Sequence, residues 1–167
     1  MRKYDDIRFQ GLIENASIGL WSGSADPMAA AIRRITKSKY SHAALIFEID
    51  GRVMCFESVP IGVRLIPLSA RVAMLPKSGS IDLYRVPNID PKRVRYNALA
   101  YAGQGYDFGG IGRFAQAKLL GIEPRGNAKR LFCSELVARS LELQTNLNFV
   151  APGDLPAFSE IYLSFTK

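Results

Sequence analysis

The sequence predicts an α+β protein built on an antiparallel sheet, and three observations carry that prediction. Four β-rich runs stand in series between residues 41 and 86, with no helix needed to connect each to the next. Two of them, "SHAALIFEID" (41–50) and "RVMCFES" (52–58), meet at Asp50-Gly51, a dipeptide suited to a tight hairpin. The helical stretches open at Asp-Pro pairs, Asp26-Pro27 and Asp90-Pro91, where aspartate caps free N–H groups and proline fits the first turn.

In chain order, "ASIGLWSG" (16–23) alternates loosely and reads as a strand. The helix begun at Asp26-Pro27 should run to about Lys37. The hairpin 41–58 follows, then strands "VRLIPL" (63–68) and "SIDLYRV" (80–86). Asp90-Pro91 opens a helix to about Gln104, and "GQGYDFGGIG" (103–112) is a glycine-rich loop. A helix is expected over Phe114 to Leu120, then the loop "GIEPRGNAKR". The last helix begins near Cys133 and runs to about Gln144, and "SEIYLSF" (159–165) closes the chain as a strand.

With 167 residues, no linker and no repeat, residues 1–167 fit a single domain. The apolar fraction of 48% beside 22% charged residues is that of a folded chain. No run approaches the ~18 apolar residues of a membrane span. Asp5, Asp6, Arg8 and Gln10 interrupt any signal-peptide core, so the expected compartment is the cytoplasm, with Cys55 and Cys133 as free thiols. One histidine and two cysteines make no recognisable metal spacing, so neither metal nor cofactor is expected. The net charge of +7 gathers in Arg33, Arg34, Lys37 and Lys39, in Lys92, Arg93 and Arg95, and in Arg125, Lys129 and Arg130. These are ordinary solvated faces or a contact surface for an anionic partner, and charge alone does not choose. No specific nucleic-acid contact is predicted; "GQGYDFGGIG" has neither of the standard nucleotide-loop spacings.

Chemistry concentrates on three residues. Cys133 stands where a helix starts, and a helix N-terminus favours a thiolate and offers N–H groups to an oxyanion. His42 is the only imidazole, so any Cys–His chemistry must use it. Glu57 lies across the expected hairpin from His42, in an otherwise apolar strand, where a carboxylate can fix an imidazole tautomer. Each also has a plain structural reading, as a core thiol, a satisfied polar residue and an outward-facing strand residue. Cys55, in mid-strand with no helix dipole, reads as packing.

"SKYSHAALIFE" (38–48), "CFESVPIGVRLIPL" (55–68), "GQGYDFGG" (103–110) and "FCSELV" (132–137) occur together and in this order. The set resembles the circularly permuted papain-like proteins of the YiiX/YaeF-like group, related to NlpC-type cell-wall peptidases and to lecithin retinol acyltransferase. It covers about residues 16 to 160. His42 precedes Cys133, as the permuted order requires. The resemblance implies Cys133 as nucleophile, His42 as base and Glu57 as the residue that orients it, with Tyr40 and Tyr106 as aromatic residues near the site. It also implies a hydrolase or transferase acting on a peptide, amide or lipid-acyl substrate. The region "ENASIG" replaces a frequent "GD" turn, and the long segment between "YDFGG" and Cys133 differs too; both bear on substrate. The alternative is a catalytically silent binding module of the same fold, which contacts an anionic partner through its basic faces.

Overall fold

The computed structural model describes residues 2–3, 13, 16–24, 26–107, 109, 116, 120, 130–147 and 150–166. Its strands are β1 (Arg2–Lys3), β2 (Ser17–Ser22), β3 (Tyr40–Ile49), β4 (Arg52–Val59), β5 (Gly62–Pro67), β6 (Ser80–Arg85), β7 (Gly105–Tyr106), β8 (Arg130–Leu131) and β9 (Glu160–Thr166). Its α-helices are α1 (Pro27–Thr36), α2 (Leu68–Ala73), α3 (Pro91–Leu99) and α4 (Cys133–Ser140), and a 3₁₀ turn spans Pro152–Phe158.

One sheet has the order β1-β9-β6-β2-β3-β4-β5. It is antiparallel from β9 to β5, with the short β1 parallel to β9 at one edge. The α+β class is therefore as the sequence predicts. Asp50 and Gly51 take φ of 49° and 74° between β3 and β4, the left-handed pair that a two-residue hairpin needs. Asp26 accepts a hydrogen bond from the Ala29 N–H at 3.1 Å, and Asp90 accepts one from Lys92 at 2.9 Å. Both Asp-Pro starts are thus capped as read.

Strand alternation divides the core. Ile18, Leu20, Leu45, Phe47 and Phe56 pack with Val94, Leu136 and Val137 of α3 and α4. On the other face Ala44, Ile46, Cys55, Ile81 and Leu83 pack with Leu68 and Val72 of α2. Each such large side chain contributes about 1.5–3 kcal/mol by leaving water. Helix α1 buries none of its residues and stands as a wall beside the sheet.

Two boundaries and one element differ from expectation. Helix α3 stops at Leu99, and hydrogen-bonded turns carry the chain to Gln104. Helix α4 ends at Ser140, well short of Gln144. Helix α2, which follows β5 directly, was not foreseen, because Pro67 marks a strand end as readily as a helix start. The helix expected over Phe114 to Leu120 lies outside the described residues but for two positions.

Candidate active site

Strand β3 pairs with β2 out of simple register: Trp21 faces His42, but Ser22 faces Tyr40. Ser41 is thus an extra residue, a β-bulge that changes which face the next side chain takes. Tyr40 joins the α3/α4 side of the sheet, whereas His42 meets the Trp21 ring edge-on at 5.3 Å on the α2 side. His42 keeps the face of Ala44 and Ile46 by plain alternation, and the bulge turns Tyr40 to the opposite side.

The β4–β5 hairpin closes at Val59 and Gly62, which puts Glu57 opposite Arg64. Glu57 is 0% exposed. One of its oxygens, Oε1, accepts from Arg64 Nε at 3.0 Å and Nη2 at 2.7 Å. The other, Oε2, accepts from Arg71 Nε at 2.9 Å and lies 2.7 Å from His42 Nε2. A buried carboxylate needs such partners, since an unpaired one would lose its charge. Burial alone would raise the Glu57 pKa; the His42 hydrogen bond and charge, with those of Arg71 and Arg64, outweigh it and hold the group down at about 2.

Cys133 reaches the same place by another route. Strand β7 lies parallel to β8, with Tyr106 beside Leu131. The Asp107 N–H donates to Leu131 O at 3.3 Å, and Ser58 Oγ donates to the same carbonyl at 2.7 Å. These bonds fix the chain two residues before the thiol. Cys133 is the first residue of α4, and Phe132 before it supplies no side-chain cap. The sulfur takes hydrogen bonds from His42 and from the backbone N–H groups of Ala43 and Ser134. Because Nε2 of His42 is held by Glu57, Nδ1 is the ring atom left for the thiol.

The electrostatics separate the two cysteines. Burial pushes the Cys133 thiol up, but the His42 hydrogen bond and charge and the two backbone N–H groups bring it below its ordinary value. For His42, burial disfavours the charged ring; hydrogen bonds to Cys133 and Glu57 overcome this and raise it to about 9. Both shifts favour the charged forms, thiolate and imidazolium, beyond their ordinary balance. Cys55, wholly buried on the α2 face, is pushed well above its ordinary value by burial and by the nearby Glu57 charge, despite Arg71 and Arg64. It packs, as its mid-strand position implied.

A cavity of about 310 Å³ opens on the His42 side of the pair; its lining includes His42, Ser41, Tyr106, Met28, Met74 and Val59, and Cys133 is not part of that lining. Tyr106 is buried, and burial together with the Cys133 charge drives its hydroxyl to stay protonated. Tyr40, expected near the site, does not line this cavity. Its hydroxyl donates to Asp82 Oδ2 at 2.6 Å and lies 2.7 Å from the Tyr84 hydroxyl. The bulge at Ser41 accounts for that displacement. Ser134 donates to Val150 O at 2.7 Å and Glu135 pairs with Arg139 at 2.8 Å, both structural links of α4.

Arg64 and Arg71 were missed in the sequence, although one signal was there. A turn at Pro60-Ile61 sets Glu57 against Arg64 by counting alone. Arg71 had no such signal, because it comes from the unforeseen α2. Of the basic groups, Lys39 pairs with Asp82 at 2.7 Å and Arg93 with Glu142 at 2.8 Å. The side chains of Arg125, Lys129 and Arg130 lie outside the described residues.

Among the described residues, no three His, Cys, Asp or Glu side chains group as metal ligands, and no helix is long and apolar enough to cross a membrane. No family profile matches the sequence, and no curated protein matches it either. The fold is similar to that of a solved chain described as the metalloprotein YiiX from Escherichia coli O157:H7. The two are 20% identical, with a TM-score of 0.60 over 90% of this chain and 88% of that one.

Proposed function

We propose that this chain, which shares the YiiX fold, is a cysteine-dependent acyl hydrolase or acyltransferase on a circularly permuted papain-like domain. The observation that carries the reading is the linked set Cys133–His42–Glu57, in which Cys133 is lowered, His42 raised and Cys55 raised. Such a set is the arrangement of an activated nucleophile, its base and the residue that holds the base.

Proton transfer from Cys133 to His42 precedes the substrate. The thiolate sulfur bonds to the carbonyl carbon, and the carbonyl electron pair moves onto oxygen. In this reading the Ser134 N–H, which already donates to the sulfur, and the Tyr106 hydroxyl are the donors that would stabilise that charge. As the oxyanion collapses, the bond to the leaving group breaks and His42 Nδ1–H gives that group its proton. Water, or another acceptor, then attacks the thioester carbon as His42 takes its proton; the second oxyanion collapses, the C–S bond breaks, and the product leaves with Cys133 returned as thiolate beside protonated His42. Glu57 keeps the ring in place throughout and stays ionised, with Arg64 and Arg71 holding it. Peptide, amide and lipid-acyl carbonyls all suit this chemistry.

The neighbour of shared fold is described as a metalloprotein. The described residues here do not fit a metal, since His42, Cys133 and Glu57 are bonded to one another and no other ligand cluster accompanies them.

The test is alkylation of each thiol in the native protein at about pH 6, resolved by peptide mass. Cys133 should label fast, Cys55 slowly, and His42→Ala should bring Cys133 down to the rate of an ordinary thiol, whose pKa is about 8.5. Slow labelling at both cysteines, with a reagent as small as iodoacetamide, would instead leave a silent binding module.

A further inference from the structure

Glu57 is saturated. Its two oxygens accept all the bonds from Arg64, Arg71 and His42. Arg71 is not saturated. It spends only Nε on Glu57, and its guanidinium carbon lies 5.3 Å from the Trp21 ring centre. It makes no other hydrogen bond or ion pair among the described residues. Its side chain keeps 19% of its exposure and forms part of the cavity wall with His42. Arg64, at 28% exposure, is bonded through both Nε and Nη2 and is absent from that wall.

The charges point the same way. Glu57 offsets one of the two arginines, and the Cys133–His42 pair is neutral as a unit. One positive charge is left on the cavity wall, carried by Nη1 and Nη2 of Arg71. Those nitrogens form an end-on fork that matches an oxyanion with two hydrogen bonds. Trp21 stacks against the guanidinium and limits its swing. Asp26 is the acidic residue on the cavity wall, but it is exposed and occupied in capping α1. Apolar side chains such as Met28, Val59, Met74 and Leu75 make up much of the lining, with the small hydroxyls of Ser22, Ser24, Ser41 and Ser58 among them.

We infer that Arg71 is a substrate-binding residue whose free fork takes an oxyanion, carboxylate or phosphate, borne by an otherwise apolar acyl substrate. The inference rests on the acyl-transfer reading of Cys133 and narrows its substrate class to amphiphiles with an anionic group near the reacting carbonyl. In this reading Arg71 has two roles: Nε keeps Glu57 in place for His42, and the fork selects the ligand.

Direct calorimetric binding of octanoate, octyl phosphate and octanamide tests this without using thiol reactivity. A charge-assisted fork should make at least one anion bind about tenfold tighter than octanamide. That preference should vanish in Arg71→Gln and survive in Lys77→Gln, which removes the same charge from an exposed position beside the cavity-lining Pro76. Arg71→Lys keeps the charge but loses the fork, and should retain only part of the preference; it also serves if Arg71→Gln fails to fold. Octyl phosphate binding without octanoate assigns the site to phosphate esters, and the reverse assigns it to carboxylates. Octanamide binding as tightly as both anions, absence of binding by all three, or equal losses in Arg71→Gln and Lys77→Gln would overturn the inference. Because the readout is binding, an inert Cys133 leaves the result intact and removes only the catalytic reading.

Discussion

Replacing Glu57 by glutamine removes one charge and almost no volume, so it isolates what the buried carboxylate contributes. In the unfolded chain this group titrates at its ordinary 4.5; in the fold it is held at about 2. Burial opposes that lowering, and the bonds and charges of His42, Arg71 and Arg64 overcome it. Because the folded value is depressed, the unfolded chain binds the proton first as pH falls. The associated stability is therefore fully present above 4.5 and disappears as pH drops toward 2. At about 1.36 kcal/mol for each pH unit, the gap amounts to about 3 kcal/mol at neutral pH. The same magnitude follows from breaking a buried ion pair on one side, which costs about 3–5 kcal/mol. Glu57→Gln should thus be destabilised by about 3 kcal/mol at pH 7 in urea unfolding at fixed ionic strength. The difference from wild type should shrink steadily below pH 4.5, because the wild-type protein is then losing the same interaction. A difference that stays constant from pH 7 to pH 3, or one below about 1 kcal/mol at pH 7, would refute the charge accounting around Glu57.

Two further outcomes follow from the same geometry. Turnover or acylation should have an acid limb below the ordinary thiol range, set by the lowered Cys133, and an alkaline limb near pH 9, where His42 loses the proton it must give the leaving group; a single rise through the ordinary thiol value would contradict the ion pair. Gly62 has φ of 111°, and a Cβ there would lie 2.8 Å from Gln104 O, so Gly62→Ala should cost about 1–3 kcal/mol and slow Cys133 labelling by disturbing the adjacent β7, while Cys55 labelling stays slow; unchanged labelling would separate β5 from the placement of Tyr106.

The sheet was legible because its signals are local. Asp50-Gly51 fixes a hairpin within two residues, and the alternation of Leu45 and Phe47 with Ala44 and Ile46 assigns each to a face. His42 and Glu57 could be joined for the same reason, since they share that hairpin. The placement of Tyr40 was not legible, because a bulge of one residue at Ser41 reverses a face without any change in composition. Helix α2 was hidden by its shortness, and Arg71 was hidden with it.

Cys133 poses the harder case, because nothing local ties it to His42, 91 residues before it (133 − 42). What ties them is a two-residue parallel bridge. Gly105–Tyr106 carries one end of the "YDF" motif onto Arg130–Leu131, and Ser58 fastens Leu131 to the strand that bears Glu57. So short a bridge has no periodicity for a sequence to display. Its position nevertheless explains why the two motifs belong together: the backbone of Tyr106 in "YDF" pairs with Leu131, two residues before the thiol of "FCSEL". The helix dipole alone would leave Cys133 an ordinary buried thiol, as burial does Cys55. The imidazole, set on its face by the alternation of β3 and raised by its bonds to Cys133 and to a carboxylate that two arginines keep ionised, is what reverses the sign at Cys133.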